Sequence, residues 1–359
     1  MSLPAYDQAI EAVPMAMLVV DAQMRLIMAN AAARELFGAG ILGRPFVTVV
    51  RHPGVNDAVE KVLGGAEAGP EKLAAMISVQ GRDLSVQTMV SPLALEDGRG
   101  AALAFEDRSS LDAAEQMRRD FVANVSHELR TPLTALMGFI ETLRGPARND
   151  EAVRDRFLGI MEREAGRMNR LVGDLLSLSR VEAEERRRPV QGVDLTAILR
   201  NVVASLSPTA EAAGAEVEAI MPDTPVTVMG DPDQLVQVFD NLVENGLKYG
   251  RAGGKVSVSF AAIAHEPVLR GPAVAITVAD QGEGISSEHL PRLTERFYRV
   301  DTHRSREQGG TGLGLAIVKH IVNRHRGRLK IESEKGVGSR FTVILPDPRA
   351  TGRGAEPKG

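Results

Sequence analysis

Residues 121–143 constrain the chain more than any other stretch. Phe121, Val125, Leu129, Leu133, Leu136, Ile140 and Leu143 advance by three and four, the spacing of one helix face. A helix with so long an apolar seam needs a cover along its length. His127 stands two residues from both Val125 and Leu129. On a helix that is roughly 200° from the seam, so the histidine points toward water. Glu128 stands next to it, and Thr131 and Pro132 come soon after. Pro132 offers no amide to the carbonyl of Glu128, and its ring crowds that carbonyl. A bend is therefore expected on the turn that carries His127 and Glu128. A lone helical histidine is ordinarily a surface residue, so its meaning depends on the segments elsewhere in the chain.

A second seam, Phe157, Met161, Met168, Leu171, Leu175 and Leu178, marks a helix expected from about Asp150 to Glu185. The first helix is expected to end near Gly145–Pro146. Two helices with apolar stripes cannot bury both stripes in isolation. Pairing with a second copy as a four-helix bundle is one solution, and packing the hairpin on its own chain is the other.

With 359 residues, 43% of them hydrophobic, the chain has material for two or three cored domains. A net charge of −4 implies no general attraction to nucleic acid or anionic membrane. Tryptophan is absent and aromatics are few, which disfavours base-stacking platforms. The absence of cysteine excludes disulfides and thiolate metal sites. The longest apolar run, Val13–Val20, contains Pro14 and is far short of the ~20 residues that a membrane span needs. The expectation is a soluble, cytoplasmic chain without a transmembrane segment.

Four regions separate. Residues 5–107 mix strands and helices. Strands are expected at Met17–Val20 and Arg25–Met28, then a helix at Asn30–Phe37 capped by Asn30. Further strands are expected at Lys72–Gln80, Arg82–Val90 and Gly100–Phe105, with turns at Gly81 and Asp97–Gly98. His52 reads as structural or exposed rather than as a ligand. Residues 108–187 are the two helices. Residues 192–347 read as α/β, with helices at Leu195–Leu206, Asp233–Tyr249 (capped near Asp231) and Leu313–His325. Strands are expected there at Glu216–Ile220, Val226–Met229, Lys255–Phe260, Val274–Ala279, Leu329–Ser333 and Arg340–Ile344. Residues 348–359, rich in Gly, Pro and charge, are expected to be disordered.

Three segments of the α/β region carry chemistry. In DNLVENGLKYG (Asp240–Gly250), Asn241 and Asn245 share a helix face and Lys248 stands one turn on. An amide oxygen can ligate Mg²⁺ and a lysine can neutralise phosphate. In DQGEG (Asp280–Gly284), Gly282 and Gly284 admit close backbone approach, and Asp280 can accept a hydrogen bond from an adenine amino group. In GGTGLGLA (Gly309–Ala316), Gly310, Gly312 and Gly314 let amides and a helix N-terminus meet phosphate. This last segment has no Walker lysine and comes after a loop, against a Rossmann reading. Between the glycine segments, ERFYR (Glu295–Arg299) is either a lid anchor that packs Phe297 and presents arginines, or a helix with one buried phenylalanine.

FVANVSHELRTPLT resembles the phospho-acceptor box of sensor histidine kinases. The later segments resemble, in the family's order, the N, G1, F and G2 boxes of its ATP-binding domain, and GVGSRFTVILP (Gly336–Pro346) resembles the closing box. AIEAVPMAMLVVDAQMRLIMANAAARELFG resembles a PAS domain. The whole chain is most similar to phosphate-regulon type sensor kinases, which usually carry N-terminal membrane helices. Gly246 stands where alanine is usual and Ser339 where threonine is common; neither change removes a reactive group.

The resemblance implies a multidomain α+β chain. Its parts would be a PAS-like α/β domain, a dimeric antiparallel four-helix bundle with two helices per chain, and a C-terminal α/β-sandwich ATP-binding domain of the Bergerat/GHKL type. It implies ATP-dependent phosphorylation of His127 with Glu128 as base, and transfer to an aspartate of a separate response regulator. It implies a homodimer, and nucleotide contacts at Asn241, Asn245, Lys248, Tyr249, Asp280, Gly282, Gly284, Phe297, Gly310, Gly312, Leu313 and Gly314. Asn245 would hold Mg²⁺. His127, Glu128 and Thr131 fit the family's HExxT pattern, which implies that Thr131 helps dephosphorylate the regulator. Two rivals use the same nucleotide fold: an ATPase or chaperone-like clamp, and a scaffold that binds nucleotide without turnover. The clamp would not need the segment around His127, and intact His127, Glu128 and Asn245 argue against the scaffold.

Overall fold

The structure is a computed structural model. It describes residues 10–65, 69–95, 98–145, 148, 150–185, 187–251, 253–301 and 310–347. The expected tail at 348–359 and Asp97 of the expected turn lie outside the described residues. The chain divides into two compact units, Met1–Ala123 and Asn124–Gly359.

The first unit is built on an antiparallel sheet of order β2-β1-β5-β4-β3. Its strands are β1 (Ala16–Val20), β2 (Leu26–Ala29), β3 (Glu71–Val79), β4 (Arg82–Leu95) and β5 (Gly98–Asp107). Helices α1 (Ala31–Phe37), α2 (Phe46–Val49) and α3 (Pro53–Gly64) lie between β2 and β3 in the chain. Alternation along β4 sends Val86, Thr88 and Val90 inward, to a core with Leu18, Leu26, Phe46, Val59 and Leu103. Asn30 caps α1 and does more. Its Oδ1 accepts from the amides of Met17 and Ala33, both at 2.9 Å. Its Nδ2 donates to the carbonyls of Ile10, Val13 and Met15 at 3.2, 3.1 and 2.8 Å. His52 is structural, as expected: its Nδ1 accepts from the amide of Val55 at 3.3 Å and caps α3.

Helix α4 (Ser109–Arg144) carries His127, and α5 (Glu151–Glu184) comes next, capped by Asp150 through the amide of Val153. Pro132 lies buried inside α4. The rings of Phe139 and Phe157 join the two helices at 5.0 Å. The seams split between two fates. On α5, Leu171, Leu178 and Val181 are buried within one chain. Leu133, Met137 and Ile140 on α4, and Leu158, Val172 and Leu176 on α5, stay exposed. Leu171 and Leu178, expected on a seam shared with a second chain, are thus covered by their own. The periodicity located an apolar face but could not say what lies over it.

Beyond α5 comes a two-layer α/β sandwich. A mixed sheet of order β11-β12-β10-β9-β7 holds β7 (Glu216–Ile220), β9 (Lys255–Glu266), β10 (Gly271–Ala279), β11 (Arg328–Glu334) and β12 (Gly338–Pro346). Strands β7 and β9 run parallel; the other neighbours are antiparallel. A small second sheet pairs β6 (Gln191–Asp194) with β8 (Thr227–Gly230). Helices α6 (Leu195–Ala212), α7 (Pro232–Tyr249) and α8 (Gly314–Arg324) supply Leu199, Leu235, Phe239, Leu242 and Ile317 to the core, against Val258, Ile276 and Val343 of the sheet. Apart from β6, which was not expected, these elements keep the expected order, with ends shifted by a few residues; α6 and β9 run six residues further. Among the described residues no helix is long and apolar enough to cross a membrane.

Asp231 caps α7 by accepting from the amide of Gln234 at 3.2 Å. Its own amide donates to Nε2 of His325, at the end of α8, at 3.0 Å. His325 is buried, and its Nδ1 lies 2.7 Å from the carbonyl of Ile321, which places the proton on Nδ1. Burial holds its pKa below the usual histidine value. The folded form thus resists a proton that the unfolded chain takes up near pH ~6.5, so this contribution is present above that pH and lost as pH falls through it. His325→Gln should cost about 1 kcal/mol at neutral pH by weakening this bond. Thermal melts between pH 7.5 and 5.5 should show a larger loss of stability for the wild type than for the variant.

Candidate nucleotide and phospho-acceptor site

Three close approaches bring the nucleotide segments together. A Cβ on Gly282 would lie 2.2 Å from the carbonyl oxygen of Tyr249, so the loop after β10 lies against the end of α7. A Cβ on Gly314 would lie 2.5 Å from Oδ1 of Asn241, so the first turn of α8 abuts the asparagine face. The amide of Phe297 donates to the carbonyl of Gly312 at 2.8 Å, joining ERFYR to the glycine segment. The first contact requires glycine, because its partner is a backbone oxygen, whereas a Cβ on Gly314 would push the Asn241 side chain aside. ERFYR does not form the helix that was one of its two expected states. Phe297 is half-buried with φ +64°, opposite Gly312 at φ +74°.

Asp280 is fixed by its own loop. Its Oδ1 accepts from the amides of Gly282 (2.8 Å) and Ser339 (3.3 Å). Burial raises its pKa, opposed by these bonds. Both amide bonds fall on Oδ1, and Oδ2 can accept from a ligand. Gly284 has φ +66° against the carbonyl of Glu334. Leu313 is buried and caps α8 with no side-chain bond, so the first amides of that helix keep their donors for an anion. Gly310 lies half-buried just ahead of them.

On α7, Asn241 Nδ2 donates to the carbonyl of Gln237 at 2.8 Å. Lys248 pairs with Glu244 at 3.1 Å. Asn245 is half-buried and makes no side-chain hydrogen bond among the described residues, so its amide is available to a ligand. The described residues hold no cluster of three His, Cys, Asp or Glu able to take a metal alone. A single amide ligand suits Mg²⁺ held jointly with phosphates rather than in a protein cage. The donors fit ATP: an acceptor for an adenine amino group, glycine amides and a helix end for phosphates, and an amide oxygen for the ion.

The acceptor side differs from expectation in one respect. His127 is exposed, as its place opposite the seam predicts. Thr131, one turn on, donates to the carbonyl of His127 at 3.1 Å. Glu128 turns inward. Its Oε2 accepts from Arg167 Nη2 of α5 at 2.6 Å and from Arg299 Nη2 of ERFYR at 3.2 Å. Further bonds tie the sandwich to α5: Thr311 to Asp174 at 2.6 Å, Ser177 to Gln237 at 2.7 Å and Arg296 to Glu182 at 2.7 Å. Burial raises the pKa of Asp174, with Thr311 opposing. No local pattern distinguishes Arg167 and Asp174 from other charges on an exposed helix face, so the sequence alone does not single them out.

Comparison with known proteins gives these elements a common class. Residues 230–349 match the histidine kinase-, DNA gyrase B- and HSP90-like ATPases. Residues 117–184 match the His Kinase A (phospho-acceptor) domain, and residues 6–70 a PAS domain. The sensor-like histidine kinase SenX3 of Mycobacterium tuberculosis is 36% identical over 338 residues, covering 93% of this chain and 78% of its own. The phosphate regulon sensor protein PhoR of Pseudomonas aeruginosa is 38% identical over 337 residues, covering 91% and 71%. The histidine kinase ThkA, solved in complex with the response regulator protein TrrA, shares the fold at a TM-score of 0.50 and 20% identity, covering 95% of this chain and 98% of its own. The chain belongs to the sensor histidine kinases of two-component systems. It is an ATP-using protein-histidine kinase, and neither a bare ATPase clamp nor a scaffold without turnover.

Gly284 offers a direct check on the loop geometry. A Cβ there would stand 1.9 Å from the carbonyl oxygen of Glu334, at a φ that L-residues rarely adopt. Gly284→Ala should cost about 2 kcal/mol or more of stability and weaken nucleotide binding together. Calorimetric unfolding and nucleotide titration of the same variant measure both.

Proposed function

We propose that this kinase autophosphorylates on His127 and passes the phosphoryl group to an aspartate of a separate response regulator, in phosphate-regulon-type signalling. The observation that carries this reading is that His127 is the only histidine within the matched phospho-acceptor segment, residues 117–184. It is exposed, and the next residue touches the segment that leads to the glycine cradle. The domains run as PAS-like sensor (5–107), acceptor helices (108–187) and ATP-binding domain (192–347).

ATP supplies the phosphoryl group, and Mg²⁺ offsets its charge. The residues of this chain do the rest. Asp280 accepts from the adenine amino group. Asn241, Lys248 and the amides around Gly310, Gly312 and Gly314 hold phosphate. Asn245 ligates the ion, and Tyr249 and Phe297 wall the site. One ring nitrogen of His127 attacks the γ-phosphorus of ATP, the bond from that phosphorus to the β-phosphate oxygen breaks and ADP leaves, and the proton on the other ring nitrogen passes to Glu128. The exposed stripe of Leu133, Met137, Ile140, Val172 and Leu176 is the surface for a second copy.

His127→Gln should abolish acid-labile labelling from γ-labelled ATP while ATP binding stays near wild type. Asn245→Ala should fail to label yet keep a usable His127. Label appearing when the two variants are mixed indicates a dimer that transfers between subunits; its absence indicates transfer within one. Persistent label on His127→Gln alone assigns the acceptor elsewhere.

Thr131 is the residue for the reverse flow. Its hydroxyl, one turn from His127, can orient a water against a phospho-aspartate docked there. The bond to the carbonyl of His127 also fits a purely structural role. Thr131→Ala separates the two. It should keep autophosphorylation within a few-fold and slow regulator dephosphorylation at least about tenfold, roughly 1.4 kcal/mol in barrier. The assay is decay of phospho-regulator with ADP. Equal decay with wild type leaves Thr131 a structural residue.

A further inference from the structure

Arg299 stands at a junction that the proposed reaction does not explain. Its Nη2 and that of Arg167 donate to the same carboxylate oxygen of Glu128, and the side chains of Arg299, Arg167 and Glu128 are 5%, 11% and 12% exposed in turn. Arg299 also lies along the phosphate cradle: a Cβ on Gly312 would stand 3.2 Å from its Nε. One guanidinium therefore touches both the glycine segment and the acid beside His127. Arg167 belongs to α5 and pairs there with Glu164 as well, at 3.9 Å.

A guanidinium presents the same planar fork to a carboxylate and to a phosphate. A polyphosphate at Gly312 brings concentrated negative charge within reach of a cation that Glu128 holds. From this geometry we infer that Arg299 exchanges between Glu128 and a nucleotide phosphate. In one arrangement, Arg299 and Arg167 together hold Glu128 and fix ERFYR against the acceptor helix. In the other, phosphate draws Arg299 off, while Arg167 stays on the carboxylate. Nucleotide entry thus removes one of the cations that hold the base as the phosphoryl donor arrives. The role of Glu128 rests on the function proposed above; the exchange of Arg299 does not.

Competition for one cation is reciprocal, so it can be read from binding alone. The full chain is titrated with Mg²⁺ and the non-hydrolysable analogue AMPPNP. Glu128→Gln, which keeps the side chain's size, should tighten binding by about threefold because it removes the competitor. Arg299→Gln should weaken binding. In the Arg299→Gln background, Glu128→Gln should change nothing, since the two residues act as one coupled pair. Glu128→Asp is a second, milder variant that should shift affinity in the same direction as Glu128→Gln. The inference is overturned if Glu128→Gln leaves affinity unchanged or weakens it, or if it tightens binding equally without Arg299. Labelling is read separately: a wild-type chain that exchanges Arg299 but takes no label on His127 would remove the proposed acceptor and leave this inference standing.

Discussion

The amide of Asp231 donates to Nε2 of His325, and through that bond the helix of the asparagines is tied to the helix of the glycine segment. Several of the proposed nucleotide residues lie along this same helix pair. Helices α7 and α8 meet closely enough that a methyl group on Gly314 would displace the side-chain amide of Asn241. Arg324 reinforces the junction, with Nη1 3.2 Å from Asp231 Oδ2. A buried imidazole suits this place because its two nitrogens serve two backbones, one as acceptor and one as donor. The glycine loop can then rest on two helices already fixed in relation to each other.

The contacts that join the sandwich, α4 and α5 are of two kinds. Arg296–Glu182 and Arg324–Glu184, at 2.7 and 2.8 Å, are partly open to solvent and hold by modest, salt-sensitive attraction. Thr311–Asp174 and the arginines on Glu128 are more sheltered, and there an unmatched group is expensive. The buried trio Leu171, Leu178 and Val181 supplies the apolar part. Exposed charge sets the approach, while sheltered polar pairs near the cradle set the register.

Local rules carried far. The caps at Asn30, Asp150 and Asp231 were expected or consistent with their sequence settings, and each bonds an amide two or three positions into its helix. Strand alternation located the sheets, and the glycine segments lie where the backbone makes its close approaches. Failures came where a residue's partner is remote. Glu128 meets Arg299 across 171 positions, and Thr311 meets Asp174 across 137. No periodicity encodes such a pair, because the spacing of residues along one helix says nothing of what the fold places opposite. The seam on α5 shows the same limit: period gives the face, and only tertiary structure decides which neighbour covers each part.

Asn30 illustrates how a common residue becomes irreplaceable. Aspartate caps helices as well as asparagine does, and at an ordinary helix start the two interchange freely. Here the amide nitrogen faces three carbonyl oxygens, of Ile10, Val13 and Met15. An aspartate would set a second anionic oxygen against all three with no proton to share. Spontaneous deamidation of this one side chain, a change of a single atom type, would therefore turn the knot that gathers the start of the sensor unit into a point of repulsion. Its near-complete burial is also what shields it from the water that such chemical ageing requires.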